Sequence, residues 1–157
     1  MKADARAAAL QLLNEGWDGR LPVQPLQTAK VLKIGVAKVK LEPDVAGYIE
    51  RRDGRTCIHL NRDDPESRQR FTCAHEIGHY MKHGEGDFAY VDHRDKLSQE
   101  GVDPDEIYAN TFAATFLMPE QAVKEFVDLR VGVKQMAAEF GVSKLAMKTR
   151  LESLGLL

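Results

Sequence analysis

Cysteine is scarce: Cys57 and Cys73 are the two in 157 residues. Two thiols cannot staple a domain of this length, which excludes a disulfide-built secreted scaffold and suits a reducing compartment. Long apolar runs are missing as well, since none approaches the roughly 20 residues that cross a bilayer. The start, Met1-Lys2-Ala3-Asp4-Ala5-Arg6, carries an acid early and no secretory apolar stretch. A cytoplasmic protein without membrane attachment is expected. Nor is there an excess of one charge: 22 Lys and Arg stand against 24 Asp and Glu, a net charge of −2. Nothing global therefore draws the chain to nucleic acid, and DNA contact would need a local basic patch. What remains, 43% hydrophobic and 29% charged residues, is the composition of one folded unit able to bury a core.

Against this background one stretch stands out, His75-Glu76-Ile77-Gly78-His79. On a helix, imidazoles four residues apart lie one turn above each other and reach a common ion. A Glu directly after the first His can then hold a water at that ion, which is the zincin pattern. Asp63-Asp64-Pro65 supplies the helix start, an Asp cap followed by Pro at the first helical position, and predicts a helix over 65–82. Cys73 precedes His75 by two residues, about 200° around the helix, and reads as packing. Gly78 costs about 1 kcal/mol relative to Ala inside a helix; close approach of another backbone or of substrate would account for it, as would simple tolerance.

Around this helix the pattern is mixed. Helices are predicted over 3–15 and 25–33, and a strand over 35–41. Two more strands, 46–52 and 55–60, flank the hairpin signal Asp53-Gly54. A further short strand covers 87–91, and the charged, aperiodic residues 92–102 read as a loop. Asp103-Pro104 restarts a helix that runs to about 116, another helix follows Pro119, and a last pair, 133–140 and 143–153, surrounds Gly141-Val142. The expected class is α+β: a small antiparallel sheet of about three strands packed on helices, in a zincin-like minimal metallopeptidase domain over 1–130. Residues 131–157 form a helix-turn-helix-like extension packed on it.

A catalytic zinc site takes three protein ligands and leaves one position open. His83 lies roughly 12 Å along the helix axis from His75, too far to share an ion, and reads as a helix-end or supporting residue. His93 sits in the irregular stretch. Glu106 opens a helix on which Asn110 follows one turn later. It is the better third ligand, with Asn110 free to orient the ring of His75 or His79 by hydrogen bonding the nitrogen not given to the metal.

The segments Arg70-Phe71-Thr72-Cys73-Ala74-His75-Glu76-Ile77-Gly78-His79-Tyr80 and Glu106-Ile107-Tyr108-Ala109-Asn110-Thr111-Phe112-Ala113-Ala114-Thr115-Phe116-Leu117-Met118-Pro119 together resemble the ImmA/IrrE family of zinc metallopeptidases. Cys73, Thr115 and Phe116 depart from its usual residues without touching the chemistry. The resemblance implies His75, His79 and Glu106 as zinc ligands and Glu76 as general base, with Mn2+ as an alternative metal. Zincins place such a sheet beside the metal helix, where an edge strand can pair with extended substrate. Tyr80, Tyr108, Tyr90 and His93 are all candidates to stabilise the oxyanion or contact substrate. The implied activity is cleavage of a helix-turn-helix repressor or antitoxin-like partner, and longer members carry a C-terminal sensor domain not expected here. A second reading makes the protein a DNA-binding or repressor-binding regulator with a structural metal. There Ser143 caps the last helix, and Lys144, Lys148 and Arg150 meet phosphates.

Overall fold

The computed structural model describes residues 1–93 and 103–157. Chain order is α1 (Lys2–Gly16), α2 (Pro25–Val31), β1 (Gly35–Val39), β2 (Val45–Arg52), β3 (Arg55–Asn61), α3 (Glu66–His83), β4 (Phe88–His93), α4 (Pro104–Leu117), α5 (Glu120–Asp128), α6 (Val133–Phe140) and α7 (Lys144–Ser153). The fold is α+β. Asp53 and Gly54 both take positive φ, 53° and 78°, the backbone that a two-residue hairpin turn demands, and β2 and β3 pair antiparallel across it.

The sheet is larger and less uniform than the sequence suggests. Among the described residues it has four strands, in the order β1-β3-β2-β4. β1 joins the outer side of β3 in parallel, Gly35 opposite Cys57 and Val39 opposite Asn61. The side of β2 away from the hairpin is taken by β4, antiparallel. Tight hairpins join only sequence neighbours, so pairing of β1 with β3 and of β4 with β2 has no local signal. β4 also runs through Asp92 and His93, which the charge pattern assigns to a loop; the rest of that predicted loop, 94–102, lies outside the described residues.

One hydrophobic core holds the layers together. It joins Ala5, Ala9 and Leu13 of α1, Ile49, Ile58 and Leu60 of the sheet, Ala74 and Ile77 of α3, and Phe112 and Phe116 of α4. Met136, Phe140, Met147 and Leu151 of the last two helices belong to the same cluster. α3 begins one residue later than expected, at Glu66, with Pro65 in the cap position and no side-chain cap. α4 starts as predicted: Asp103 accepts from the Asp105 amide at 2.9 Å and Pro104 follows.

The α3–α4 contact explains Gly78. A Cβ there would lie 3.0 Å from Ala109 Cα and 3.1 Å from Phe112 Cβ, so the absent side chain is what lets the two backbones meet. Gly78→Ala should gain about 1 kcal/mol in helix propensity and lose about 1–3 kcal/mol to overpacking. The expected outcome is net destabilisation, read as a lower urea midpoint at unchanged slope. An unchanged or higher midpoint would mean that the helices have slack to separate.

At the C-terminus Gly141 takes φ 66° between α6 and α7, and the Ser143 hydroxyl accepts from the Ala146 amide at 3.0 Å. Arg150 does not face solvent. It is 7% exposed and its Nε donates to the Met118 carbonyl at 3.0 Å. Of the three cations that the DNA-binding reading needs, only Lys144 and Lys148 are exposed, and the third is used to hold α7 on the end of α4. Among the described residues no helix is long and apolar enough to cross a membrane.

Candidate metal centre

α3 buries every residue from Thr72 to His79, so its two histidines and Glu76 sit inside the protein rather than on a groove wall. α4 crosses them at the Gly78 contact and brings its first turns alongside. His75 Nε2 and His79 Nε2 lie 3.2 Å apart. The Glu106 carboxylate spans them, Oε2 at 3.1 Å from His75 Nε2 and Oε1 at 3.2 Å from His79 Nε2. Four donors at zinc–nitrogen and zinc–oxygen bond lengths stand about 3.3 Å apart at the corners of a tetrahedron, so these three donors fit one face of such a site.

The supporting contacts favour the same use. The Asn110 amide oxygen lies 2.8 Å from His75 Nδ1 and accepts its proton, which leaves Nε2 as a lone-pair donor. Glu76 is fully buried and neither of its oxygens has a hydrogen-bond partner among the described residues; Oε1 is 3.9 Å from His75 Nε2. Buried carboxylates are ordinarily satisfied, and an orphaned one aimed at a donor set is what a cation and its water would satisfy.

Sequence reasoning missed Asp92. It is 2% exposed, both of its oxygens lack hydrogen-bond partners among the described residues, and Oδ2 lies 3.9 Å from His75 Nε2. His75, Glu76 and Asp92 make a second group of donor atoms within 4.8 Å of one another. The electrostatics follow from this crowding of acids. Burial pushes the Glu76 and Asp92 carboxyls upward. Burial opposes a charge on His75 too, but Asp92, Glu106 and Glu76 outweigh it and raise the imidazole to about 9. Glu106 goes the other way: burial would raise it, yet the His75 and His79 imidazoles that face its two oxygens hold it well below the usual carboxylate range. The pocket asks for positive charge at His75 Nε2, as a divalent ion supplies.

The other sequence candidates are dispersed. Tyr80 turns toward β2, where the Arg51 guanidinium sits 5.8 Å from its ring centre. Tyr108 is buried with Lys82 Nζ 5.7 Å from its ring. His93 lies on the face of β4 opposite Asp92, its Nδ1 3.5 Å from Asp44. Tyr90 does reach the site, with its ring stacked on His79 at 4.2 Å and 6°. The signal for Tyr90 and Asp92 was the alternation Phe88, Tyr90, Asp92, which puts all three on one face of a strand.

Comparison with known proteins agrees with the geometry. The chain is 26% identical over 118 residues to "Uncharacterized immunity region protein 2" of Bacillus phage phi105, covering 75% of this chain and 73% of that protein. It is 31% identical over 130 residues to the radiation response metalloprotease IrrE of Deinococcus radiodurans, covering 80% of this chain but 39% of that protein. A solved Mycobacterium tuberculosis transcriptional regulator superposes with a TM-score of 0.67 at 18% identity, over 94% of this chain and 46% of that one; this likeness shows the fold alone. The chain thus spans less than half the length of the metalloprotease and of the regulator. The family profile described as the IrrE N-terminal-like domain matches residues 30–152, and on that match the chain belongs to the peptidase M78 family of metallopeptidases.

Proposed function

We propose that the protein is a zinc-dependent endopeptidase that cleaves a helix-turn-helix repressor or an antitoxin-like partner and so relieves repression. The observation that carries this reading is the convergence of His75, His79 and Glu106 at 3.1–3.2 Å beside an unpartnered, buried Glu76. A structural metal would be closed by four protein donors; three donors with a free carboxylate alongside favour catalysis over the structural alternative. Relatives named for a phage immunity region and for a radiation response support a regulatory protein as substrate.

In this mechanism His75, His79 and Glu106 would hold the ion, with Asn110 fixing the His75 ring. Zinc, when bound, supplies Lewis acidity that makes water nucleophilic near neutral pH and polarises a peptide carbonyl. Glu76 takes the proton from the attacking water and delivers it to the departing amine as the carbon–nitrogen bond breaks. Burial of Glu76 suits this exchange, because a carboxyl raised by desolvation both accepts and returns a proton readily. Asp92 keeps a second carboxylate beside the same reacting centre.

The test is direct. The purified protein, loaded with one equivalent of zinc, is incubated with each candidate helix-turn-helix repressor of the same genome, and products are weighed by intact-mass spectrometry. Two fragments whose masses sum to the repressor plus one water are expected, and their formation should stop with a chelator. A repressor that stays whole while it binds the zinc-loaded protein would sink the peptidase reading and favour the non-proteolytic regulator.

A further inference from the structure

β4 and α3 lie side by side in opposite directions, and their side-chain repeats nearly coincide. Two residues advance a strand by about 6.6 Å, and four residues advance a helix by about 6.0 Å. Alternate residues of β4 therefore meet successive histidines of α3. Phe88 stacks on His83 at 5.4 Å, Tyr90 on His79 at 4.2 Å, and Asp92 approaches His75 Nε2 at 3.9 Å.

The two histidines of the metal centre are held differently. His75 is fixed through Nδ1 by Asn110. His79 Nδ1 is buried with no hydrogen-bond partner among the described residues, although a ligating imidazole is ordinarily fixed through its second nitrogen. We infer that Tyr90 is the positioning residue for His79: the face of its ring sets by stacking the orientation that Asn110 sets for His75 by hydrogen bonding. This rests on the metal-site reading given above.

Tyr90 is itself well anchored. Its hydroxyl donates to Asp105 Oδ2 at 2.8 Å and accepts from His83 Nε2 at 2.6 Å. Lys82 Nζ pairs with the other oxygen of Asp105. Asp105 precedes Glu106, so the turn of α4 that supplies the third donor also holds the ring that aligns the second. The parallel planes, 6° apart at 4.2 Å, leave His79 no freedom to swing about its Cβ–Cγ bond without losing the stack.

The experiment measures the zinc dissociation constant by competition with a chromophoric chelator, for the parent, Tyr90→Phe and Tyr90→Leu. Visible absorption of the Co2+-loaded forms is recorded in parallel. Loss of the outer partner of a ligating histidine costs about 10–100-fold in affinity, so Tyr90→Leu should bind zinc at least about tenfold more weakly, while Tyr90→Phe stays within about threefold of the parent. The Co2+ bands should change in Tyr90→Leu and hold in Tyr90→Phe, which keeps the flat face. Parent-like affinity in Tyr90→Leu, or equal loss in both variants, would overturn the inference. Should Tyr90→Leu not fold, Tyr90→Met fills the space without a flat face and is judged by the same thresholds. A parent that binds no zinc would overturn the metal-site reading itself, which separates that failure from failure of the Tyr90 inference alone.

Discussion

Exchange of Glu76 for Gln is expected to slow repressor cleavage by about 10²–10⁴-fold, the usual weight of a general base, in a protein that still carries one zinc. The side chain keeps its shape and loses its charge and the ability to take a proton. No described hydrogen bond is broken, since neither Glu76 oxygen has a hydrogen-bond partner among the described residues, and removal of a fully buried carboxylate from among Asp92 and Glu106 relieves like-charge crowding. Folding stability should therefore hold or rise while turnover falls, the opposite of what a structural carboxylate would do. Zinc per chain, the thermal midpoint and the rate of fragment formation together decide it. A variant that cuts at the parent rate removes Glu76 from the mechanism.

Glu106→Ala should act on the metal instead. Glu106 touches both imidazoles, at 3.1 and 3.2 Å, and its loss removes a donor outright. The fall in zinc affinity should exceed the roughly 10–100-fold that loss of an outer partner costs. The parent should also gain thermal stability with added zinc, by about 2.7 kcal/mol when free zinc is 100 times the dissociation constant, and Glu106→Ala should gain almost nothing at the same concentration. A zinc-dependent midpoint equal to the parent's would exclude Glu106 from the donor set. In that case the group formed by His75, Glu76 and Asp92 becomes the place to look.

How much of this was legible depended on whether the signal was local. The helical spacing of His75 and His79, and of Glu106 and Asn110, is a property of single helices, and the structure brings these four together. That Gly78 marks a backbone contact was one of the options its helix position left open; the choice needed α4 in place. Strand order was not legible. β1 and β4 attach to strands that are not their sequence neighbours. Asp92 was hidden for a further reason: a charged residue followed by more charge reads as solvent-facing loop, yet here it turns inward at the end of an edge strand. Tyr80 and Tyr108 show the converse, with Arg51 and Lys82 against their rings. Nearness in sequence to the motifs is a step around a helix, and one residue on a helix turns a side chain about 100° away from its neighbour.

The pairing of β4 with α3 works like a vernier. Its two scales, about 6.6 Å per strand step and about 6.0 Å per helix turn, drift apart by only roughly half an ångström at each mark, so three successive pairs stay in step. The closest ring stack is the middle one, Tyr90 on His79 at 4.2 Å, against 5.4 Å for Phe88 on His83. One added or deleted residue in this strand would shift the scale by a whole face and turn Ala89 and Val91, now exposed, toward the histidines. At this strand the centre is guarded less by the chemistry of any one side chain than by the number of residues that precede it.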